Sequence, residues 1–535
     1  MEMKKEHIFR SQLPDIDIPN HLPIHEYCFQ NISKHFTRPA IINGPTGDVF
    51  THSRVELTAR RVAVGFHNLG IRKGDIVMLV LHNSPEFAFA LLAASFIGAT
   101  ATTANPLYTA AEIANQARIS KPHLIITHAC YIDKVKLTAT EISARIATID
   151  APPSPNLIDF SDLMRSDEKL LPKVEIDAED TAVMLFSSGT TGLPKAVMLS
   201  HKNIVTCISQ QIDGENPAVH TEPEDLTICI LPLFHCYSLI SILLCNLRAG
   251  AGIVVMPKFE INELLKLIQK YKVTLASFVP PILLAIVKSP AAASDYDLSS
   301  VRRVVCGAAP MDRRLELSVQ AKLPNAIIAQ GYGMTEAGVV TTSPGFSKFP
   351  RKFKPGSCGT VIRNSAIKIV DPLTGASLPR NSAGEICTKG DSVMKGYYKD
   401  EEATRRTIDE EGWLHTGDIG YVDEDDQVFI VERLKELIKY KGFHVAPAEL
   451  EALLVSHPAI SDAAVVPMMD EAAGEVPVAF VVRSAGGGNI SEHEIKEYVS
   501  EQVASYKRIH RVFFIDEIPK APSGKTLRKN LRSRI

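Results

Sequence analysis

The sequence predicts an α/β fold, with a large N-terminal domain followed by a small α+β C-terminal domain. Up to about residue 355, short apolar runs alternate with helical patterns. Beyond that point the chain shows short strand patterns separated by turn signals, and beyond Lys435 helices and strands are mixed. Strands that alternate with helices are typical of parallel βαβ units with helices on both faces of the sheet.

The first region contains a series of apolar runs with the length of buried strands. The predicted strands cover residues 75–81, 123–127, 181–186, 227–231, 252–256, 274–279, 301–305 and 326–329. Helical patterns follow at 85–97 and 260–271. This region is therefore predicted to form two parallel-type α/β subdomains.

The later regions have a different pattern. Turn signals at 372–375 (PLTG) and 423–426 (DEDD) separate short strand patterns and predict an antiparallel, β-barrel-like subdomain. Helical patterns near 447–456 and 491–503 belong to the small C-terminal domain. The predicted boundaries are 1–434 for the large domain and 435–535 for the small one.

The composition is that of an ordinary soluble enzyme. The 535 residues are 45% hydrophobic and 22% charged, with a formal net charge of −3, so a nucleic-acid partner is not expected. The first 20 residues have no apolar signal segment, and the nine cysteines form no CxxC pair. Together these features predict a cytoplasmic protein with reduced thiols.

One stretch is long enough to span a bilayer. Residues 226–247 contain no Asp, Glu, Lys or Arg. Pro232, His235 and Asn246 interrupt it, however, so a strand, a turn and a buried helix starting at Tyr237 are favoured. No stable membrane insertion is predicted.

A glycine-rich loop at residues 187–195 (SSGTTGLPK) follows an apolar strand pattern. Glycines allow backbone N–H groups to fold around phosphate oxygens, hydroxyls donate hydrogen bonds, and the lysine adds a positive charge. The loop is not a Walker A motif, because its lysine follows proline and no GK[ST] closes it. It predicts a phosphate site formed by Ser187, Ser188, Gly189, Thr190, Thr191, Gly192 and Lys195.

Two further motifs suit a nucleotide. In residues 330–336 (QGYGMTE), Tyr332 can stack on a purine, while Thr335 and Glu336 can hold a phosphate-bound Mg²⁺. In residues 412–418 (GWLHTGD), the Asp418 carboxylate can accept hydrogen bonds from two ribose hydroxyls.

A lysine near the C-terminus lies in a sequence like the end of a Walker A loop, residues 519–526 (PKAPSGKT). Pro519 replaces the expected glycine, and nine residues after Thr526 leave no room for the required helix. Lys525 is therefore predicted to lie on a mobile hairpin, free to enter a site made by another domain.

In this order and spacing, the motifs resemble those of the adenylate-forming acyl-CoA synthetase superfamily, and most of all the plant 4-coumarate–CoA ligases. The resemblance extends from Leu22 to Lys525 and includes NSPEF at 83–87 and GEIC at 384–387. It implies that a carboxylate attacks the α-phosphate of MgATP to give an acyl-adenylate and pyrophosphate. The thiol of coenzyme A then displaces AMP.

The resemblance also implies a role for each matching residue. The catalytic residues are Lys525, His235, Lys439 and His444, the last at a position where the family has glutamine. The nucleotide contacts are the loop residues above together with Gln330, Gly331, Tyr332, Thr335, Asp418 and Arg433. The acid pocket comprises Tyr237, Ser241, Val305, Ala308, Gly331, Gly333, Val339 and Val340. Coenzyme A is assigned to Lys258, Lys441 and Gly442, the domain hinge to Lys435, and Mg²⁺ to Thr335 and Glu336.

The implied activity is ligation of hydroxycinnamates such as 4-coumarate, caffeate and ferulate to coenzyme A. The alternatives are a ligase for another acid (a medium-chain fatty acid, a benzoate or a jasmonate precursor), a luciferase-type monooxygenase, and an adenylate-binding protein without turnover. A monomer is expected, with a weak dimer as the alternative.

Overall fold

The computed structural model describes residues 6–535 apart from 152, 153, 155, 188–193, 291–294, 312, 441, 442, 471, 472, 485–489, 504 and 521–525. Its described strands form four sheets. Two of them are large and mostly parallel, one is antiparallel, and one is built from the C-terminal part of the chain.

The eight-stranded sheet has a parallel body with an antiparallel edge. In spatial order its strands are Gly396–Tyr397, Lys195–Ser200, Thr181–Ser187, Thr100–Thr103, Ile76–Val80, Leu124–Thr127, Arg145–Thr148 and Ile158–Asp159. Its strands Ile76–Val80 and Leu124–Thr127 are buried on both faces, which explains why they are mainly apolar without alternation.

The nine-stranded sheet has the same design. Its strands, in spatial order, are Thr360–Val361, Gly338–Thr342, Ile327–Met334, Arg303–Cys306, Leu275–Phe278, Leu226–Cys229, Gly252–Val255, Pro39–Asn43 and Val49–Thr51. The two large sheets contact each other at Asn83, which follows the strand Ile76–Val80 of the eight-stranded sheet. The side-chain amide of Asn83 donates to the carbonyls of Cys229, Leu231 and Met256.

Helices cover the faces of both sheets. The described α-helices are Ile24–Phe29, Ile32–His35, His52–Asn68, Pro85–Phe96, Ala110–Ser120, Ile132–Glu141, Phe160–Leu163, His201–Ile212, Cys245–Ala249, Ile261–Tyr271, Pro280–Lys288, Arg313–Lys322, Glu401–Thr407, Pro447–Val455, Glu492–Ser500 and Arg528–Arg532, with a π-helix at Tyr237–Leu244. Short 3₁₀ turns lie at Ala129–Tyr131, Glu168–Leu170, Pro344–Phe346, Leu434–Glu436 and Ser505–Lys507. Local sequence sets several starts, as at Pro85, which follows the capping hydroxyl of Ser84.

The antiparallel sheet is the barrel-like unit predicted after residue 355, and it also takes in a strand from the N-terminus. Its strands are Phe9–Arg10, Ser365–Val370, Gly384–Gly390, Leu414–Val422 and Val428–Arg433. The C-terminal sheet contains Phe443–Val445, Ile438–Tyr440, Gly474–Arg483, Ile460–Asp470 and Arg511–Phe514, with a hydrophobic cluster on each face.

Two glutamates, the buried Glu432 and the half-buried Glu451, lie where the C-terminal helix Pro447–Val455 meets the strand Val428–Arg433. Arg528 forms a bidentate pair with Glu451, at 2.7 and 2.8 Å, and its nearest contact with Glu432 is longer, at 3.9 Å. Glu432 also accepts a hydrogen bond from the backbone N–H of Ala448 at 2.8 Å. The C-terminal part of the chain is therefore fastened to the strand that carries Arg433.

The predicted fold class is confirmed, and two details differ. The strand predicted to end near residue 329 continues as Ile327–Met334, because the segment Gly338–Thr342 pairs with it in antiparallel fashion. The helix expected from Tyr237 begins there as a π-helix rather than an α-helix. In the described part of the chain, no helix is both long and apolar enough to cross a membrane.

Candidate active site

The phosphate loop connects two antiparallel strands of the eight-stranded sheet. Ser187 and Lys195 face each other at the base of the loop. Ser188, Gly189, Thr190, Thr191 and Gly192 lie outside the described residues. The Lys195 ammonium is 4.9 Å from the ring centroid of Tyr397, so the loop base packs against the neighbouring edge strand.

Glu336 joins this loop base to the QGYGMTE motif. Its Oε1 accepts hydrogen bonds from Ser187 Oγ at 2.6 Å and from the Tyr397 hydroxyl at 3.1 Å. Burial, together with the Glu336 charge, raises the pKa of Tyr397. The hydroxyl of the preceding residue, Thr335, is 3.4 Å from the Cys236 sulfur. Carboxylate and hydroxyl oxygens are ligands that Mg²⁺ prefers, so this pair fits the predicted ion.

Asp418 is brought together with two other predicted nucleotide residues. It lies opposite Arg433 on neighbouring strands, and Arg433 Nε is 3.0 Å from its Oδ1. The Tyr332 hydroxyl donates to Oδ2 at 2.7 Å. Burial and the Asp418 carboxylate together raise the pKa of Tyr332. Each carboxylate oxygen has further lone pairs that can accept ribose hydroxyls.

Gln330 has a partner inside the protein rather than an open amide. Its Oε1 accepts from the backbone N–H of Met311 at 2.7 Å, and its Nε2 donates to the Met311 carbonyl at 3.2 Å. With 4% exposure, its side chain holds the neighbouring segment in place. Any contact of this position with a nucleotide would use another part of the residue.

His235 is an exposed residue that follows the turn at Pro232. Its Nδ1 accepts from the Tyr237 backbone N–H at 3.3 Å and lies 3.8 Å from the Cys236 sulfur. The neighbouring Cys236 raises the pKa of His235. Sequence analysis missed Cys236, although its position directly after His235 was a usable signal.

The predicted acid pocket is organised by the ring of Tyr237. Its hydroxyl donates to the Val305 carbonyl at 3.2 Å, and burial raises its pKa. Gly307 lies directly against the ring, and Ala308 follows in a left-handed conformation with φ 66°. Of the other pocket positions, Ser241, Gly331, Val305 and Val339 are half-buried, Gly333 is exposed, and Val340 is buried in the main core.

Replacing Gly307 with alanine should impair use of ring-substituted acids. The new methyl group would lie 3.1 Å from Tyr237 Cε1, closer than an ordinary carbon–carbon contact. The ring must then shift by a few tenths of an ångström, which strains its 3.2 Å bond to the Val305 carbonyl. We expect kcat/KM for 4-coumarate to fall about tenfold, a typical result of overpacking by one methyl group. Steady-state kinetics should show an unchanged KM for MgATP. A KM for MgATP that rises as much as the KM for the acid would contradict a role of Gly307 in the acid pocket.

The remaining predicted residues are only partly visible. Lys258 is exposed after the strand Gly252–Val255. Lys441, Gly442 and Lys525 lie outside the described residues, as do the side chains of Lys435, Lys439 and His444. The backbone places Lys435 in the turn Leu434–Glu436, and it places Lys439 opposite His444 in a hairpin.

A triad that sequence analysis missed, two buried residues and the half-buried His415, supports the segment carrying Asp418. Cys387, from the GEIC motif, lies opposite His415, and His415 Nδ1 is 3.4 Å from its sulfur and 2.9 Å from Glu385 Oε2. Glu385 Oε1 accepts from the Gly417 backbone N–H at 3.0 Å. The alternating pattern of the strands Gly384–Gly390 and Leu414–Val422 shows which side chains share a face within each strand. It does not show which residues of the two strands lie opposite each other.

This triad predicts a pH dependence of stability. Hydrogen bonds with Cys387 and Glu385 raise the pKa of His415 to about 10. Its stabilising effect is complete below the unfolded pKa of 6.5 and is lost as the pH rises through about 10. We expect this loss to be about 1–2 kcal/mol after solvent screening. Thermal unfolding between pH 6.5 and 10 should show a flatter profile for His415→Gln than for the parent, with the exposed His123→Gln as control. A variant profile as steep as the parent's would contradict this role.

Comparison with known proteins identifies the family of this chain. The sequence profile of the AMP-binding enzyme family matches residues 28–398, and that of the AMP-binding enzyme C-terminal domain matches residues 449–525. The chain is 61% identical to a 4-coumarate–CoA ligase of Vanilla planifolia, covering 100% of this chain and 97% of that protein. It is 60% identical to the 4-coumarate–CoA ligase CCL1 of Humulus lupulus, with coverage of 99% and 97%.

A solved structure of another protein has the same fold. ATP-bound MatB from Rhodopseudomonas palustris superimposes with a TM-score of 0.88 at 27% identity, covering 96% of this chain and 99% of MatB. The chain therefore belongs to the AMP-binding enzyme family, and its C-terminal part is that family's own C-terminal domain.

Proposed function

We propose that this protein is an AMP-forming 4-coumarate–CoA ligase. The observation that carries the proposal is that the QGYGMTE motif contacts both a phosphate site and a ribose site. Its Glu336 accepts from Ser187 at the base of the phosphate loop, and its Tyr332 donates to Asp418. A nucleotide can therefore be held by its phosphates and its ribose at once. The identity of 60–61% to 4-coumarate–CoA ligases, which extends over nearly the whole chain, supports this proposal.

In the first step, a carboxylate oxygen of the acid attacks the α-phosphorus of ATP. The bond to the β-phosphate breaks, and pyrophosphate leaves with the electron pair. Ser187 and Lys195, at the base of the phosphate loop, hold the leaving phosphates together with the rest of the loop, while Asp418 and Arg433 hold the ribose. Donors placed where charge develops stabilise the transition state more than the ground state.

His235 and Lys525 act on the reacting groups. His235 is exposed beside the acid pocket, where its ring can orient the carboxylate through Nε2, the nitrogen that the Tyr237 backbone N–H leaves open. Lys525 supplies a positive charge to the developing pentavalent phosphate. Thr335 and Glu336 would hold Mg²⁺, which supplies charge neutralisation at the phosphates when bound.

In the second step, the sulfur of coenzyme A attacks the acyl carbon and AMP leaves. We propose that residues 435–535 turn as a unit about Lys435 between the two steps, so that Lys439, Lys441, Gly442 and His444 replace Lys525 at the site. The short turn Leu434–Glu436, which separates the strand of Arg433 from the C-terminal sheet, supports this boundary.

The proposed acid is a hydroxycinnamate such as 4-coumarate, caffeate or ferulate. Two small residues, Gly307 and Ala308, follow one another beside the Tyr237 ring, and small residues next to an aromatic ring suit a planar aromatic acid. We also propose a cytoplasmic location, with which the nine unpaired cysteines are consistent.

A panel of acids tests the proposal. The purified protein is mixed with MgATP, coenzyme A and, in separate reactions, 4-coumarate, caffeate, ferulate, benzoate and a medium-chain fatty acid. Thioester and pyrophosphate are measured in each reaction. We expect the highest kcat/KM with a hydroxycinnamate. A higher value for the fatty acid or benzoate would reject the acid class, and absence of pyrophosphate with every acid would reject the enzyme.

A further inference from the structure

A group of metal-ligand side chains lies on the antiparallel sheet, outside the residues assigned to the substrates. Glu385 and Cys387 come from the strand Gly384–Gly390, and His415 comes from the neighbouring strand Leu414–Val422. A carboxylate oxygen of the first, the sulfur of the second and a ring nitrogen of the third all lie within 4.8 Å of one another. The three side chains therefore present one oxygen, one sulfur and one nitrogen to the same small space.

The distances between these atoms are close to those around a bound zinc ion. His415 Nδ1 is 3.4 Å from the Cys387 sulfur and 2.9 Å from Glu385 Oε2. Zinc binds sulfur at about 2.3 Å and nitrogen or oxygen at about 2.0–2.2 Å, so tetrahedral geometry separates nitrogen from sulfur by about 3.6 Å and nitrogen from oxygen by about 3.3 Å. The ligands therefore need to move apart by only a few tenths of an ångström to admit the ion.

The other ring nitrogen of His415 faces a carboxylate. His415 Nε2 is 3.6 Å from Asp409 Oδ2, while Asp409 Oδ1 accepts from the backbone N–H groups of Glu411 and Trp413 at 3.0 and 2.8 Å. A histidine that binds a metal through one nitrogen usually donates its other N–H to an oxygen acceptor, which fixes the ring. Asp409 has the place of that acceptor and is itself held by the turn. This contact is independent of the three ligand atoms and also points to a bound metal.

The donor atoms favour Zn²⁺ over Mg²⁺. Thiolate sulfur and imidazole nitrogen suit Zn²⁺, whereas Mg²⁺ prefers oxygen ligands. The Cys387 thiolate and the Glu385 carboxylate together balance the charge of a divalent ion. A lysine, Lys368, lies opposite Cys387 on the next strand. Its ammonium is already paired, at 3.5 Å from Glu6 and 3.6 Å from Glu411.

We propose that Glu385, Cys387 and His415 bind one Zn²⁺ ion, with water as the fourth ligand and Asp409 as the residue that positions His415. The half-buried imidazole leaves a path to solvent for the ion and the water. Glu385 binds through Oε2, so its Oε1 keeps the hydrogen bond from the Gly417 backbone N–H, and the ion links the two strands. The ion takes the place of the proton that His415 Nδ1 shares with its neighbours, so the pH dependence predicted for the triad applies to the metal-free protein.

Trp413 provides a probe for this site, because it is the single tryptophan of the chain and belongs to the same buried cluster as Cys387. Co²⁺ accepts the ligands of Zn²⁺ and gives a thiolate-to-metal charge-transfer absorption band when a cysteine binds it. It also quenches tryptophan emission at short range. The untagged, chelator-treated protein is titrated with Co²⁺ and then with Zn²⁺, and the absorption and the emission are both recorded.

The parent should bind one equivalent of Co²⁺ with both signals, and Zn²⁺ should displace it. Cys387→Ser should lose the absorption band. Asp409→Asn, which keeps the Oδ1 acceptor of the turn, should bind Zn²⁺ about 10-fold more weakly, as is typical when the partner of a ligating histidine is changed. Cys236→Ser is the matched control, because the Cys236 sulfur also lies near a histidine nitrogen, His235 Nδ1 at 3.8 Å. It should behave like the parent.

Thermal unfolding separates loss of the site from loss of the fold. Zn²⁺ should raise the thermal midpoint of the parent and of Cys236→Ser but not that of Cys387→Ser, because an ion stabilises only the state that binds it. If Cys387→Ser does not fold, Glu385→Gln takes its place. This variant keeps the acceptor for Gly417 and should bind Zn²⁺ at least about 10-fold more weakly.

Four results would overturn the site. They are absence of the band in the parent, a band that persists in Cys387→Ser, a band that is lost in Cys236→Ser, and a Zn²⁺ affinity that is the same in Glu385→Gln as in the parent. A large excess of Mg²⁺ should leave the Co²⁺ signals unchanged, and displacement of Co²⁺ by Mg²⁺ would contradict the proposed ligands. Each measurement is independent of catalysis, so the outcome does not depend on the proposed ligase activity.

Discussion

Asp418→Asn should lower kcat/KM for MgATP by about 100-fold, because two charge-assisted hydrogen bonds to the ribose are each worth about 1.5 kcal/mol. The amide keeps the shape of the side chain but replaces one acceptor oxygen with a donor. That donor faces either the Tyr332 hydroxyl or the Arg433 guanidinium, both of which now bond to the carboxylate. Steady-state kinetics with varied MgATP, together with the thermal midpoint of unfolding, measure the effect.

Asp423→Asn is the matched control for this change. Asp423 is also buried and paired with a cation, Lys354 at 2.6 Å, and it lies just beyond the far end of the strand Leu414–Val422. Both variants should lose thermal stability, because each removes the charge of a buried carboxylate that is paired with a cation. Only Asp418→Asn should lose affinity for ATP, and an equal kinetic loss in Asp423→Asn would show that the effect is structural.

Lys525→Ala should slow adenylation about 100- to 1000-fold, as expected for loss of a charge aimed at the transition state. The second step should remain within about threefold of the parent when 4-coumaroyl-adenylate and coenzyme A are supplied, since the proposed rotation removes this lysine from the site after the first step. Rapid-quench measurement of each half-reaction separates the two effects.

Lys520→Ala is the control for this hairpin. Lys520 bridges to Thr526 across the segment that contains Lys525, and its ammonium pairs with Asp462 at 2.6 Å. Its removal should leave both half-reactions close to the parent. Equal loss of both steps in Lys525→Ala would count against alternation of the C-terminal domain.

Much of the architecture follows from local sequence, whereas parts of the site do not. The parallel strands are predictable because buried strands are continuous apolar runs, and the helix at Pro85 is predictable because its cap is local. The contact between Ser187 and Glu336 joins residues 149 positions apart, and no local pattern encodes it. The roles assigned to the site residues by resemblance remain predictions.

Strand register explains what sequence analysis missed. Cys387 meets His415 across a pairing that shifts register between Glu385 and Cys387, and the neighbouring pair shifts between Ile419 and Gly420. A one-residue shift changes which side chains share a face, and bulges of this kind leave little trace in the pattern. The bonds of the Gln330 side chain to Met311 were not predictable for a similar reason, because no local pattern encodes a contact between residues 19 positions apart.

The ion pairs of Arg528 with Glu451 and Glu432 indicate which contacts the proposed rotation of the C-terminal domain would break. Arg528 and Glu451 both belong to that domain, so a rotation about Lys435 carries this pair along intact. The contacts that would separate include the 3.9 Å contact of Arg528 with Glu432, the bond from Ala448, and the bonds from Arg314 to the carbonyls of Val455 and Ser456. If the domain rotates as proposed, these contacts oppose the change of orientation, and a bound ligand shifts the population only through its difference in affinity for the two orientations.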